Sequence, residues 1–523
     1  MQNLYSWLFY IGLTGTLMLL GLEVIPPLRS WRRWATAVLL TLIAFIWLAL
    51  PLEGRWLFSS WSPSAVLGGE FILDVSPGIW WLGLTLNLAF AGMAWVGVVD
   101  RGGGSRERAV LSGALILPIL MATWLALTGG SLLTTLAAWA IFDLLWGAAT
   151  LISGGDGERV TFGWLLQGAA SLILWAVSLL LQREGDSSLW WLMWPSPAVS
   201  TLLLVATLLR MSVYPFHIGF PHNVDVQGPL ALVSSMGPIL GVGLLYRVLM
   251  LPGNGDLPQW VLVVGVFSLI WGGFRAWSEK ESGAVLWGIY ALLGGIVAGA
   301  VTAMDAEVVL GALAVWFAGW VLLLLSRGRD RKAIGWAWPG GLALLFLIGL
   351  PPSPLGTLYR SALATTGWIW KVLLVIGWTM TAAALFKGGS RPAVGSVTPP
   401  RAWQRVGLVA GLFFPMMGLV GAAVPGHEIF FSWLGFLLWG FALVAAASLV
   451  RLGSPTRRWF QQGSALWDSL DLQWLYRALW RGLENLLSVV RVAADLVEGS
   501  GALLWSLLIL LIILLVTVNR WTP

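Results

Sequence analysis

Residues Leu208–Gly237 read LLRMSVYPFHIGFPHNVDVQGPLALVSSMG. The stretch begins as a membrane span and then departs from one. Arg210 lies where lipid is expected, Pro215 follows, and then come His217 and His222, two of the chain's three histidines. Gly228 and Pro229 open the next apolar run. A charged side chain at the centre of a membrane helix costs at least about 2.5–3.5 kcal/mol, so it faces a partner or water rather than lipid. Proline removes a backbone donor and clashes with the carbonyl of the preceding turn. Broken backbone persists at membrane depth only where it is packed in protein or lines a polar cavity. These residues therefore predict a many-helix membrane protein with an interrupted helix in its interior.

The rest of the chain agrees. Of 523 residues, 58% are hydrophobic and 10% charged, and the mean hydropathy is +0.84. Soluble domains carry about 25% charged residues. A helical span needs about 20 apolar residues, and the alternating pattern of a membrane β-barrel is absent. About 16 apolar segments have span length. They run over 4–24, 34–52, 79–99, 109–128, 131–153, 161–181, 197–220, 229–250, 258–275, 284–303, 307–326, 337–362, 366–386, 405–424, 428–450 and 501–518. The first is read as a true span, because MQNLYSW has no basic region of the kind that opens a signal peptide. The expected fold is an all-α integral membrane protein with discontinuous seventh and twelfth spans.

Composition also narrows the chemistry. With no cysteine, disulfides, thiolate metal sites and iron–sulfur ligation by this chain are excluded. No nucleotide loop, metal cluster or nucleophile–base set appears, so the chain is expected to hold no cofactor and no redox or hydrolytic centre. The net charge of +6 comes from arginines in short loops, which suits membrane topology rather than nucleic-acid binding. The 37 tryptophans suit interface anchoring and span packing in the lipid bilayer.

Loop charge sets an orientation. Alternate loops carry Arg29, Arg32 and Arg33; Arg101, Arg106 and Arg108; Arg159; Arg275 and Lys280; Arg327, Arg329, Arg331 and Lys332; Lys387, Arg391, Arg401 and Arg405; and Arg451, Arg457 and Arg458. The intervening loops have little beyond Arg55 and Arg183. The bias places the basic loops in the cytoplasm of a prokaryotic-type cell and both termini outside its inner membrane. The chain divides into N-terminal spans (1–108), a core (109–390), C-terminal spans (391–453), an amphipathic segment (454–498) and a final span (499–523). In the amphipathic segment Leu472, Leu475, Leu479, Leu483, Leu486 and Val490 recur at helical spacing among Arg477, Arg481, Glu484, Arg491 and Asp495. Such a helix is too polar to span and lies along a surface. It is either a membrane anchor or a strut across neighbouring subunits.

Four ionisable residues fall inside spans: Asp143, Arg210, Arg360 and Lys371. The twelfth span is broken by Pro351, Pro352 and Pro354 in GLPPSPLGTLYR, which ends in Arg360. Pro215 breaks the seventh span just beyond Arg210. Two interrupted helices, each with a cation beside the break, form the pattern of an ion path in a transporter core. Asp143 and Arg210 are expected to pair, since either charge alone would be heavily penalised. The pair is either part of that path or a static bridge between helices.

These residues together resemble the antiporter-like membrane subunits of respiratory complex I, a family shared with Mrp-type cation/proton antiporters and membrane-bound hydrogenases. The family has a lysine five residues before a Pro-Phe-His-like element, then a Gly-Pro-Thr-Pro-Val-Ser-like opening of the next span. Here these are Arg210, Pro215–His217 and GPLALVSS from Gly228 to Ser235. Its fifth-span aromatic–Glu–Leu corresponds to Phe142, Asp143 and Leu144, and its twelfth-span lysine to Arg360. The motifs cover about residues 80–390, and the topology nearly the whole chain.

The resemblance implies an all-α proton- or Na⁺-translocating subunit among other membrane subunits, with an ion pathway through Asp143, Arg210, His217, Arg360 and Lys371. It also implies any redox chemistry belongs to partner subunits. The sequence departs from the family pattern at the residues that matter most. Arginine replaces both lysines, aspartate replaces glutamate, and the histidine of the eighth span falls on Gly237. A buried lysine can titrate near neutral pH, whereas arginine effectively never deprotonates. Two alternatives to translocation follow: a non-pumping scaffold subunit, or the membrane half of an inorganic-carbon uptake system. His217 is either a proton intake or a helix-terminal hydrogen-bonding residue.

Overall fold

The computed structural model describes residues 2–59, 71–99, 106–152, 157–217, 230–252, 257–279, 281–326, 334–351, 353–389, 402–423, 436–437 and 439–450, with further positions between 472 and 488. Long apolar runs become helices because a helix satisfies every backbone group within its own segment. α1 (Gln2–Val24) and α2 (Arg32–Leu48) lead into an antiparallel hairpin, β1 (Gly54–Ser59) against β2 (Phe71–Val75), with Arg55 opposite Asp74. Then come α3 (Pro77–Val99), α4 (Arg106–Thr128), α5 (Leu132–Ile152), α6 (Gly157–Glu184), α7 (Pro197–Met211) and α8 (Leu230–Leu249). The chain continues through α9 (Gln259–Ser278), α10 (Glu281–Ala303), α11 (Ala306–Ser326), α12 (Ile334–Leu347), α13 (Pro354–Thr365), α14 (Trp368–Gly389) and α15 (Ala402–Ala423). Eight of the described helices are both long and apolar enough to cross a membrane, and six shorter apolar helices accompany them, Trp439–Val450 among these.

Both expected interruptions are present. α7 ends at Met211, and Ser212 takes a left-handed conformation (φ 54°). Its N–H bonds to Leu209 O (3.0 Å), and that of Val213 to Leu208 O (3.4 Å). α12 stops the same way: Gly349 (φ 84°) bonds to Phe346 O (2.9 Å) and Leu350 to Leu345 O (3.0 Å). This paired closure satisfies carbonyls that a helix end otherwise leaves open. After the second stop Ser353 caps α13, its Oγ accepting from Gly356 N at 3.2 Å with Pro354 in the first turn. The seventh span is thus shorter than its apolar run, and the twelfth is two helices. Pro118, Pro238, Pro339 and Pro415 lie inside helices without ending them. Pro352, His222, Gly228 and Pro229 lie outside the described residues.

The hairpin, absent from the sequence reading, caps one face. Gly130 N donates to Ile72 O (2.8 Å), Trp190 N to Gly130 O (3.2 Å) and Leu132 N to Ser188 O (2.9 Å). Arg247, in the last turn of α8, fixes it: Nη1 meets Asp74 Oδ2 at 2.5 Å, and Nη2 donates to Asp74 O (2.8 Å) and Leu127 O (3.1 Å). Arg55 Nε holds the other carboxylate oxygen of Asp74 at 3.1 Å. The connections after α2, α4 and α6 and the end of α8 therefore share one side. The far ends of α9 and α14 meet at a separate contact. There Lys387 Nζ, near the end of α14, donates to Trp277 O and Glu279 O at the end of α9.

Helices α9 and α10 approach until backbone meets backbone. A Cβ on Gly265 would lie 2.6 Å from Ala298 N, and one on Gly294 2.6 Å from Leu269 N. Small residues permit such contact, and it supplies packing where lipid removes the hydrophobic drive. Arg458–Pro523 form a separate compact unit. Of it, 474–476, 478, 481, 482, 484, 485 and 488 are helical. The rest of the expected amphipathic helix and the final span lie outside the described residues.

Candidate functional site

α5 presents Trp139, Phe142 and Asp143 at i, i+3 and i+4, on one face of the helix. All three turn to α7, where Arg210 is wholly buried. Arg210 Nη1 lies 2.6 Å from Asp143 Oδ1, with the two side chains 0% and 9% exposed. The guanidinium carbon stands 4.4 Å from the centre of the Trp139 ring and 5.1 Å from that of Phe142. A planar, weakly hydrated guanidinium suits such a cradle better than a point-like ammonium.

α6 completes the pair. Ser171 Oγ donates to Asp143 Oδ2 at 2.8 Å, and Trp164 Nε1 to Asp143 O at 3.0 Å. Arg210 Nη1 donates to Gln167 O at 3.3 Å. The buried Gln167 side chain returns the contact, its Nε2 donating to Arg210 O (3.4 Å) and Ser212 Oγ (3.3 Å) at the end of α7. The carbonyl freed where the helix stops is thereby satisfied from a neighbouring helix. Gly237 on α8 faces this carboxamide: a Cβ there would sit 3.4 Å from both Oε1 and Nε2.

His217 is placed elsewhere, beyond the turn that follows α7. It is buried, its ring stacked on Tyr214 (centroids 5.5 Å apart, planes 4° apart) and tilted against Trp287 at 5.7 Å and Tyr290 at 6.3 Å. Tyr214 N donates to Ser268 Oγ of α9 at 3.0 Å, which ties the turn containing Pro215 to the second half of the core. At the other break, Pro351 lies in the turn and Pro354 starts α13. Trp378 donates to Ile348 O at 2.9 Å and stacks on Tyr359 at 4.8 Å. Arg360 and Lys371 are half-buried, and neither side chain makes an ion pair among the described residues. The structure thus joins Asp143 to Arg210. It brings none of His217, Arg360 and Lys371 into hydrogen-bond contact with that pair.

Sequence reasoning passed over Gln167, Ser171 and Arg247. The first two are neutral, so no charge marked them; a glutamine within an apolar run was the available signal. Arg247 was a cation on the face where arginine is scarce. Among the described residues no group of three His, Cys, Asp or Glu side chains is arranged to hold a metal.

No family model and no curated protein matches the sequence. Solved structures do. A chain of the Mrp complex from Dietzia sp. DQ12-45-1b superposes with a TM-score of 0.74 at 18% identity, over 98% of this chain and 63% of that one. A chain of the membrane-bound sulfane sulfur reductase, an archaeal respiratory membrane complex, gives 0.67 at 16% identity, over 97% and 99%. A chain of respiratory complex I from Thermus thermophilus gives 0.59 at 20% identity, over 79% and 97%. This chain therefore spans less than two thirds of the Mrp chain and nearly the full length of the other two.

Proposed function

From an integral membrane chain with the fold of the antiporter-like subunits, we propose a subunit that translocates protons or Na⁺ within a multisubunit complex of the Mrp or complex I kind. The observation that carries this reading is the buried pair of Asp143 with Arg210, which lies in the last turn of α7 before its break. Charge at that depth is costly and marks transport sites. The second interruption, followed by Arg360 in α13 and Lys371 near the start of α14, supplies the far half of the path, and His217 an imidazole beyond the first break. Other membrane subunits are the partners. The arginine-rich face is cytoplasmic by the positive-inside rule, with both termini outside the inner membrane of a prokaryotic-type cell.

A second reading, a non-pumping scaffold subunit, is favoured by one observation. Arg210 is enclosed by two aromatic rings and a carboxylate, and a guanidinium does not release its proton. Ion flux in proteoliposomes separates the two readings, using the complex purified with its co-eluting subunits. Wild type is compared with Asp143→Asn and with the charge-free Asp143→Asn/Arg210→Gln. Translocation predicts flux in wild type and its loss in both variants while the subunits still co-purify. An intact wild-type complex that moves neither H⁺ nor Na⁺ when driven by its own substrate establishes the scaffold.

A further inference from the structure

Asp143 engages only Nη1 of Arg210. The other donors are Nε and Nη2, which form the opposite edge of the guanidinium and point the same way. Neither has a hydrogen-bond partner among the described residues, although the side chain is fully buried. Beside it Gln167, also buried, spends both N–H bonds of Nε2 on Arg210 O and Ser212 Oγ, and its Oε1 accepts from no described residue. Two unused donors and one unused acceptor thus occur around one residue contact. Gly237 of α8 faces the carboxamide, so no side chain from that position fills the space.

We propose that Arg210 and Gln167 enclose an occluded water site, and that Gln167 is the residue that positions the water. One oxygen can accept from both Nε and Nη2 and donate to Oε1, within the two to four bonds a buried water makes. The charges select water over ions. Asp143 already neutralises Arg210, so an added anion would leave the site net negative beside the carbonyl end of α7. A metal cation would face the guanidinium. Resting on the ion path proposed above, this site gives a fixed cation a role: it orients a water that can exchange protons, while Arg210 keeps its own.

The test is cryo-electron microscopy of the assembled complex in nanodiscs, at a resolution that shows ordered water, paired with flux. A peak within hydrogen-bond distance of Nε or Nη2 and of Gln167 Oε1 is expected. It should vanish in Gln167→Met, which keeps the bulk and removes both amide groups. Flux should fall several-fold in Gln167→Met, with subunit composition unchanged. A bare guanidinium edge, an edge occupied by another side chain, or density that strengthens when chloride is replaced by bromide overturns the water. A peak that survives in Gln167→Met overturns the role of Gln167. If the peak behaves as expected in a complex that moves no ion, the site stands and the transport reading falls.

Discussion

At the residue scale, the centre of the molecule is a salt bridge whose two members are unequally replaceable. Asp143→Asn leaves a buried guanidinium without a counter-charge, a loss of about 3–5 kcal/mol. Thermal unfolding of the solubilised complex should register it, and the double variant Asp143→Asn/Arg210→Met should recover most of it. If the single and double variants unfold alike, the pair contributes nothing as a pair. Arg210→Lys keeps the charge but loses the flat contact with Trp139 and Phe142 and the bond to Gln167 O. It should assemble with about 1–3 kcal/mol less stability, and unchanged stability would mean the rings are passive. The pairing of Asp143 with Arg210 was legible in the sequence, because two opposite charges inside apolar runs have few other ways to be tolerated. The aromatic cradle was not: Trp139 and Phe142 are indistinguishable in sequence from the many aromatics that merely fill space.

At the element scale, two helices stop by the same left-handed closure. Gly349→Ala must adopt φ near the 84° that glycine takes there, and its Cβ would stand 2.9 Å from Tyr359 Cδ2. A loss of about 1–2 kcal/mol is expected from the backbone alone; an alanine variant as stable as wild type would mean the break relaxes freely. The hairpin offers a second case. Arg247→Ala removes the side chain that grips Asp74 and the end of α4, and should cost about 3 kcal/mol. Hydrogen exchange should rise first in residues 54–59 and 71–75; uniform exchange would mean the strands hold without their anchor. Both breaks were visible beside cations, one from Pro215 and the other from the cluster Pro351, Pro352 and Pro354. The hairpin was not, because Gly54–Ser59 and Phe71–Val75 are too short and too mixed to announce strands between much stronger helical signals.

At the scale of the whole molecule, the arginine-rich loops are expected on the side opposite the hairpin cap, where Arg55 and Arg247 are tied to Asp74. The chain has no cysteine, so a single introduced thiol reports one position without ambiguity. In intact cells Gln182→Cys, exposed at the capped face, should react with a membrane-impermeant maleimide, and Leu28→Cys on the arginine-rich side should react only after lysis. The reverse pattern would invert the orientation. Loop charge alone carries the expected orientation, and the labelling decides it. Which helices press together was hidden, since contact among small residues leaves no periodic mark.

That contact has a mechanical meaning. Where Gly265 and Gly294 let α9 and α10 touch along their backbones, no cushion of side chains remains to absorb a tilt or a slide. This part of the molecule is keyed like a dovetail joint, and tilting α9 against α10 would break that contact. On the transport reading proposed above, an ion passing beside these helices moves by rearrangement of side chains and waters, past walls that hold still.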